Sequence, residues 1–103
     1  MQISFSGKYA LDPATFGINF EAIVDGSIVV CKVSTEALQD INPSDALGTA
    51  QDQFTSNRSA FERIAEEKIR NGKQAPILIT RADVLAWQIF QADAAPRPAE
   101  FRR

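Results

Sequence analysis

The sequence predicts a single α+β domain in which a small, mostly antiparallel sheet packs on one long helix. The 103 residues, of which 45% are hydrophobic and 23% charged, suffice for one core and are too few for two domains. A period of two over residues 17–33 predicts a β-hairpin, and a helical period over about 44–71 predicts an amphipathic helix. The domain is expected to span residues 1–92, and residues 93–103 are expected to form a disordered tail.

The hairpin of residues 17–33 is the strongest structural feature of the sequence. Its two halves alternate in side-chain character around Asp25-Gly26, a dipeptide that suits a two-residue type I′ turn. This turn places residues whose numbers sum to 51 opposite each other, so that Phe20 faces Cys31. One face of the hairpin is then almost wholly apolar and is expected to lie in the core.

The other face of the hairpin is apolar only near the turn, where Ile23, Ile28 and Val30 meet. Its base is polar, with Glu21 diagonal to Lys32. We therefore expect another segment or another chain to cover the apolar tip.

Two further strands are predicted on either side of these central segments. A short alternating segment near residues 2–6 ends at Gly7, and an apolar run near 76–80 begins at Pro76. The continuous apolar character of this last run predicts burial on both of its faces.

The long helix is predicted from one apolar stripe that includes Leu47, Phe54 and Phe61. Ser44 is the expected N-cap, and Gly72 lies where a left-handed stop is needed. Ser56-Asn57 has low helix propensity, so two helices remain an alternative, although the unbroken stripe favours one.

Two shorter helices are also predicted. Ser34 can cap a helical turn that runs through Leu38. Thr80 and Asp83 have the spacing of a capping box ahead of a C-terminal helix over residues 84–91.

The charge distribution argues against a dedicated nucleic-acid protein. The net charge is −2; residues 1–57 carry two basic and seven acidic side chains, and residues 58–81 carry six basic and three acidic ones. Because the bases alternate with acids at helical spacing, a solvated helix face is favoured over a phosphate-binding patch. As the alternative, a weak nucleic-acid or anionic-ligand binder would use Arg58, Arg63, Arg70, Lys73 and Arg81.

Residues that could support catalysis are few. Histidine is absent, and the one cysteine, Cys31, is expected to be a buried core residue. Arg58 interrupts the apolar stripe, and we expect its stem to lie along the core with its head paired to Glu62 or Glu21. No glycine-rich phosphate loop or metal-ligand spacing occurs, so we predict a non-enzymatic protein without cofactor or metal.

The compartment is inferred from what the composition lacks. One cysteine cannot form an internal disulfide, no apolar run approaches the length of a membrane span, and the N-terminus does not resemble a signal peptide. We therefore expect a cytoplasmic protein that does not associate with membranes.

The function predicted from these features is that of an interaction or regulatory module, expected to be a homodimer or to bind another protein. An enzyme of unknown type remains the least favoured alternative. The cover of the hairpin tip is either a second chain, which we slightly favour, or the C-terminal helix. The residues of the candidate interaction surface are Ile23, Ile28, Val30, Trp87 and Phe90.

Two segments resemble the signatures of a family of small bacterial proteins catalogued as domain of unknown function 1488. The segments are Phe20-x-Ala22-x-Val24-x-Gly26-x-x-Val29-x-Cys31-x-Val33-Ser34-x-Glu36-Ala37-Leu38 and Phe54-x3-Arg58-x2-Phe61-Glu62-x2-Ala65-x2-Lys68-Ile69. The resemblance covers about residues 2–84 and does not extend to residues 85–103. It implies a compact α+β domain in a bacterial cytoplasm, and it implies no activity.

Overall fold

The sheet has four strands in the order β1-β2-β3-β4, and the computed structural model describes residues 1–45 and 47–94. The elements in chain order are β1 (Ile3–Leu11), β2 (Ile18–Val24), β3 (Ser27–Val33), α1 (Thr35–Ile41), a 3₁₀ turn (Pro43–Asp45), α2 (Ala50–Ser56), α3 (Arg58–Arg70), β4 (Ile77–Ile79) and α4 (Arg81–Ala94). Strands β1, β2 and β3 pair antiparallel, and β4 pairs parallel to β3. The predicted α+β class with a mostly antiparallel sheet is confirmed.

The hairpin has the predicted register. Phe20 lies opposite Cys31, and Ala22 lies opposite Val29. Asp25 and Gly26 have φ values of 49° and 87°, as a turn with two left-handed residues requires. The inner face of the hairpin is buried in the core, as its alternation predicts.

Strand β1 is longer than its sequence pattern predicts. The pairing register with β2 shifts between Phe5 and Tyr9, and Gly7 within this segment has a φ of 90°. Because the irregularity lets the strand resume pairing, β1 continues to Leu11 instead of ending at Gly7.

The prediction of one long helix over 44–71 is wrong, because α2 and α3 are separated at Asn57. The Asn57 backbone has φ −123° and ψ 23°, and its side-chain amide donates to the Gln53 carbonyl oxygen at 2.9 Å. The apolar stripe survives the break: Phe54 and Phe61 are both fully buried, with ring centroids 5.8 Å apart. The weak propensity of Ser56-Asn57 therefore outweighs the continuity of the stripe.

The start of the helical segment also differs from the prediction. Thr49 caps α2 by accepting a hydrogen bond from the Asp52 amide at 3.1 Å, so Ser44 is not the cap of this helix. Leu47, which the predicted stripe included, precedes the helix and is fully exposed.

Helices α1 and α4 begin with the caps that the sequence predicts. The Ser34 hydroxyl accepts from the Ala37 amide at 3.1 Å, and the Thr80 amide donates to the Asp83 carboxylate at 2.8 Å. Helix α4 starts earlier and ends later than residues 84–91, and it includes Asp93 and Ala94. The remainder of the predicted disordered tail, residues 95–103, lies outside the described residues.

The core lies between one face of the sheet and the helices. Its buried hydrophobic residues are Ile18, Phe20, Ala22, Cys31, Val33, Ala37, Leu38, Ile41, Phe54, Phe61, Ile64, Ala65, Ile69, Ile77, Ile79 and Val84. Every helix from α1 to α4 contributes to this set, so these helices share one side of the sheet. Leu78 alternates with Ile77 and Ile79 and is 51% exposed, which shows that the predicted burial of β4 on both faces is wrong.

A close backbone approach at Gly17 predicts an unusually damaging substitution. A β-carbon there would lie 2.0 Å from the Val33 carbonyl oxygen, a backbone atom that cannot retreat without separating β2 from β3. Gly26→Ala is the matched control, because Gly26 has a φ of 87° and no atom beyond its own neighbours in the chain lies within 4 Å of the added carbon. We expect Gly17→Ala to cost more than the control, whose left-handed strain is about 1–2 kcal/mol. Urea unfolding followed by circular dichroism measures both, and an equal or smaller loss for Gly17→Ala would contradict this geometry.

Candidate functional site

The sheet face that points away from the helices, here called the outer face, carries exposed apolar side chains. Ile28 is 64% exposed and Val30 is 38% exposed, and neither is covered by any part of residues 1–45 and 47–94. Helix α4 cannot be their cover, because it buries Val84 in the core on the other side of the sheet. The alternative in which the C-terminal helix covers the hairpin tip is therefore wrong.

The pairing register places the exposed Ile28, Val30 and Leu78 in one apolar strip together with Ile23, which is half-buried. Ile23 pairs directly with Ile28 across the hairpin, and Leu78 lies beside Lys32 on β4. Val30 lies between Ile28 and Lys32 on the same face of β3. Neighbouring members of the strip are thus directly opposite, diagonal or two residues apart, which are spacings within side-chain contact.

A depression of about 260 Å³ adjoins the strip where β1 changes register. Its walls include Lys8, Ala10, Asn19 and Glu21, and Val30 forms the side nearest the strip. The sequence did not indicate this feature, because the strand prediction stopped at Gly7 and left Lys8 and Ala10 outside the sheet.

Two charged groups on the outer face, Glu21 and Lys32, are paired within the chain. The Ser6 hydroxyl donates to Glu21 Oε1 at 3.0 Å. Lys32 Nζ lies 3.2 Å from Asp12 Oδ2 and 3.5 Å from Asn19 Oδ1. The sequence placed Glu21 and Lys32 diagonally; the structure gives each of them a different partner.

Asp12 anchors the loop between β1 and β2. Its Oδ1 accepts a hydrogen bond from the Ala14 amide at 2.9 Å. Two backbone hydrogen bonds close the loop: the Asp12 amide donates to the Gly17 carbonyl oxygen, and the Phe16 amide donates to the Asp12 carbonyl oxygen. Two hydrogen bonds lower the pKa of the Asp12 carboxyl below its usual value of 3.8. The one from the Ala14 amide has the larger effect, and the one from the Lys32 ammonium has the smaller. The carboxylate is therefore a structural anion, and it holds Lys32 at the edge of the outer face.

The remaining two residues of the predicted interaction surface lie on the helical side of the domain. Trp87 is half-buried against the core, and Phe90 is 60% exposed. Both line a groove of about 430 Å³ between α3 and α4, which Arg63 and Arg70 also line. The five residues predicted as one surface are thus divided between opposite sides of the sheet.

Arg58 occupies the structural position that the sequence predicts for it. Its Nε lies 3.2 Å from Glu62 Oε2, and its guanidinium carbon lies 5.6 Å from the ring centroid of Tyr9 and 5.8 Å from that of Phe54. Such stacking on two rings stabilises the arginine where it is. Glu21, the other predicted partner, does not contact it through an ion pair.

The other predicted anion contacts are only partly available. Arg70 pairs with Glu66 at 3.0 Å, and Arg81 pairs with Asp40 at 2.6 Å. Arg63 and Lys73 form no ion pair with the described residues, and of these two only Arg63 lines the groove beside Arg70. Three of the five cations are therefore already neutralised within the chain.

Cys31 is fully buried on the inner face of β3. Burial raises the pKa of its thiol to about 11, so the thiolate is scarce at neutral pH. Its position agrees with the core role that the sequence predicts.

Two further observations concern metals and membranes. Within residues 1–45 and 47–94, no three His, Cys, Asp or Glu side chains gather as a metal site would need. None of the helices described is both long enough and apolar enough to cross a bilayer.

The fold and the outer face define a small α+β domain with all of its described helices on one side of a mixed sheet and an open apolar strip on the other. The family model for "Protein of unknown function (DUF1488)" matches residues 3–79, and the chain belongs to this family. A crystal structure at 1.60 Å of a DUF1488 protein of unknown function from Shewanella loihica PV-4 has a TM-score of 0.58 and 22% sequence identity. The match covers 76% of this chain and 89% of that one, and it supports the fold alone. No curated protein matches the chain.

The lowered pKa of Asp12 predicts how stability depends on pH. Because the folded pKa lies below the unfolded value, the ionised carboxylate stabilises the fold at neutral pH, and this contribution is lost as the pH falls through the folded pKa. Asp12→Asn should therefore lower the free energy of unfolding at neutral pH, with a difference from the wild type that shrinks below about pH 4. Urea titrations at several pH values measure this difference. Glu67→Gln, at an exposed position on α3, is the control; a pH-independent difference for Asp12→Asn would contradict the assignment.

The burial of Cys31 predicts slow reaction with thiol reagents. In native buffer, a disulfide reagent such as dithionitrobenzoate should modify Cys31 only as fast as the protein unfolds. In urea above the unfolding midpoint the reaction should be complete within the mixing time. Rapid native labelling would show that the inner face of β3 is accessible.

Proposed function

We propose that this protein is a non-enzymatic interaction module that forms a homodimer through the outer face of its sheet. The observation that carries the proposal is the uncovered apolar strip, in which Ile28, Leu78 and Val30 are 64%, 51% and 38% exposed. Isolated exposed hydrophobic residues are common on protein surfaces, but a contiguous set with a polar rim is typical of an interface.

The pairing of polar groups around the strip supports this role. Glu21 is bonded to Ser6, and Lys32 is bonded to Asp12 and Asn19, so these two charges at the rim already have partners. A face whose polar groups are satisfied loses less free energy when water is removed from it.

A second copy of the chain is the partner that fits this face most simply. Two-fold homodimers are the commonest oligomers, and in them the same patch is used by both copies. Two sheets can stack face to face at a separation of about 10 Å, which lets branched aliphatic side chains interdigitate. The strip consists of such side chains, namely isoleucine, valine and leucine.

A non-enzymatic role is supported by how the ionisable groups are used. The Cys31 thiol is buried and has a raised pKa, and Asp12 and Lys32 hold a loop and a strand together. Lys68 Nζ binds the capping residue Asp83 at 2.8 Å and so joins α3 to the start of α4. Each of these groups has a structural task that explains its position.

The proposal predicts that a charge within the strip dissociates the dimer. In Ile28→Glu, a carboxylate would be desolvated without a partner in the interface, whereas the inner face of the hairpin is unchanged. Light scattering coupled to size-exclusion chromatography, across a micromolar concentration series, should show a dimer for the wild type and a monomer for the variant. The melting temperature at low concentration should change little, because Ile28 is exposed in the monomer.

Ile89→Glu is the matched control for this substitution. Ile89 is 65% exposed, almost the same as Ile28, but it lies on α4 at the helical side of the domain. This variant should remain dimeric. A wild-type monomer throughout the series, or dissociation by Ile89→Glu with no effect of Ile28→Glu, would contradict the proposal.

A further inference from the structure

Asn71 and Gly72 form the C-terminal cap of α3. Asn71 closes the last turn with φ −86° and ψ 9°, and Gly72 follows with a φ of 91°. Both residues are exposed, as are residues 73–76, which lead to β4. The side-chain amide of Asn71 forms no hydrogen bond with any residue of the described ranges. This amide is therefore accessible to water and to the neighbouring backbone.

An asparagine followed by a glycine is a reactive pair, because the glycine nitrogen can attack the amide carbon of the asparagine side chain. The two groups belong to adjacent residues, and such an intramolecular attack is strongly favoured over the same reaction between separate molecules. Glycine also lacks the β-carbon that hinders the approach in other residues. Among the described residues, none beyond its own neighbours in the chain lies within 4 Å of the position that a β-carbon would take at Gly72.

The other three asparagines of the chain lack this combination. Asn42 precedes a proline, whose nitrogen carries no hydrogen. Asn19 and Asn57 precede large side chains, and both use their own side-chain amides. Asn19 Oδ1 accepts a hydrogen bond from Lys32 Nζ at 3.5 Å. Asn57 Nδ2 donates to the Gln53 carbonyl oxygen at 2.9 Å.

We propose that Asn71 deamidates spontaneously in the folded protein, at a rate that the cap of α3 controls, and that the product weakens this cap. The Gly72 amide donates its hydrogen to the Ile69 carbonyl oxygen at 3.0 Å. The Gly72 nitrogen can attack only when this bond opens. Helix ends open at little cost in free energy, so the attack does not require global unfolding.

The reaction consumes water and releases ammonia. The Gly72 nitrogen loses its proton and bonds to Cγ of Asn71, and Nδ2 takes up a proton and leaves as ammonia. Water then opens the resulting cyclic imide at one of its two carbonyl carbons. Opening at Cγ breaks the new bond and gives aspartate. Opening at the backbone carbonyl carbon breaks the original peptide bond and gives isoaspartate, in which the main chain passes through the former side chain.

Both products change the end of α3. Each places a carboxylate where the last carbonyl groups of the helix already carry partial negative charge. Asn71 also lines the groove between α3 and α4, so this groove gains a negative charge. Isoaspartate in addition lengthens the main chain by one carbon and displaces Gly72 from the Ile69 carbonyl oxygen. The connection from α3 to β4 is then held less firmly.

Anion-exchange chromatography of the full chain, incubated at slightly alkaline pH, tests the reaction. Wild-type protein should form a species with one additional negative charge. Cleavage after glutamate and mass spectrometry should place the change in fragment 68–100, in which Asn71 is the only asparagine. In Asn71→Gln the attack would have to form a larger, less favoured ring, so the acidic species should be lost. An equal yield of acidic species from this variant, or a change at another asparagine, would contradict the proposal.

The control by the cap is tested by measuring the same fragment after incubation in guanidinium chloride above the unfolding midpoint. The cap is absent there, so deamidation should be several-fold faster than in the folded protein. Equal rates would show that the cap does not restrain Gly72. If the folded protein stays unmodified while the unfolded protein converts completely, Asn71 is not a modification site of the native protein.

Asn71→Asp separates the effect of the charge from that of the longer main chain. This variant carries the carboxylate on an ordinary backbone. The isoaspartate form, purified from aged wild-type protein, should therefore melt at a lower temperature than Asn71→Asp. Equal melting temperatures would contradict the inferred weakening of the cap by the longer main chain.

Discussion

The parallel pairing of β4 with β3 constrains the rest of the structure. Antiparallel strands can be joined by a two-residue turn, as β2 and β3 are, but a parallel neighbour requires a long connection that crosses over the sheet. Here the crossover contains α1, α2 and α3, and α4 follows on the same side. The inner face of the hairpin is buried under these helices. The same topology leaves the outer face without a cover among the described residues, so the proposed interface and the core have one origin.

The polar network of the outer face follows from this one-sided burial. Lys32 and Glu21 point away from the helices and cannot pair with them, and their partners are instead Asp12 and Ser6 on the segment that precedes β2. The irregular path of β1 therefore has two effects: it extends the strand to Leu11, and it creates the recess beside Val30.

The sequence predicts local features such as the hairpin turn, but it does not show whether a strand is covered on one face or on both. The Asp25-Gly26 turn fixes the hairpin register because its geometry and the period of two agree. The break at Asn57 escaped the pattern, because an apolar stripe can continue across two helices that face the same core. Burial of Leu78 was predicted because an apolar run does not reveal how many layers cover a strand. The division of the candidate interaction surface could not be predicted either, since Trp87 and the hairpin tip are related only through the crossover.

We propose that the chain associates through the outer face of the sheet and not through its helical side. Two-dimensional amide NMR spectra, recorded from low micromolar to submillimolar concentration, test it without any substitution. Association through the outer face should give concentration-dependent shifts that cluster at Ile23, Ile28, Val30 and Leu78. Spectra that do not change with concentration, or shifts confined to α4 around Phe90, would contradict it.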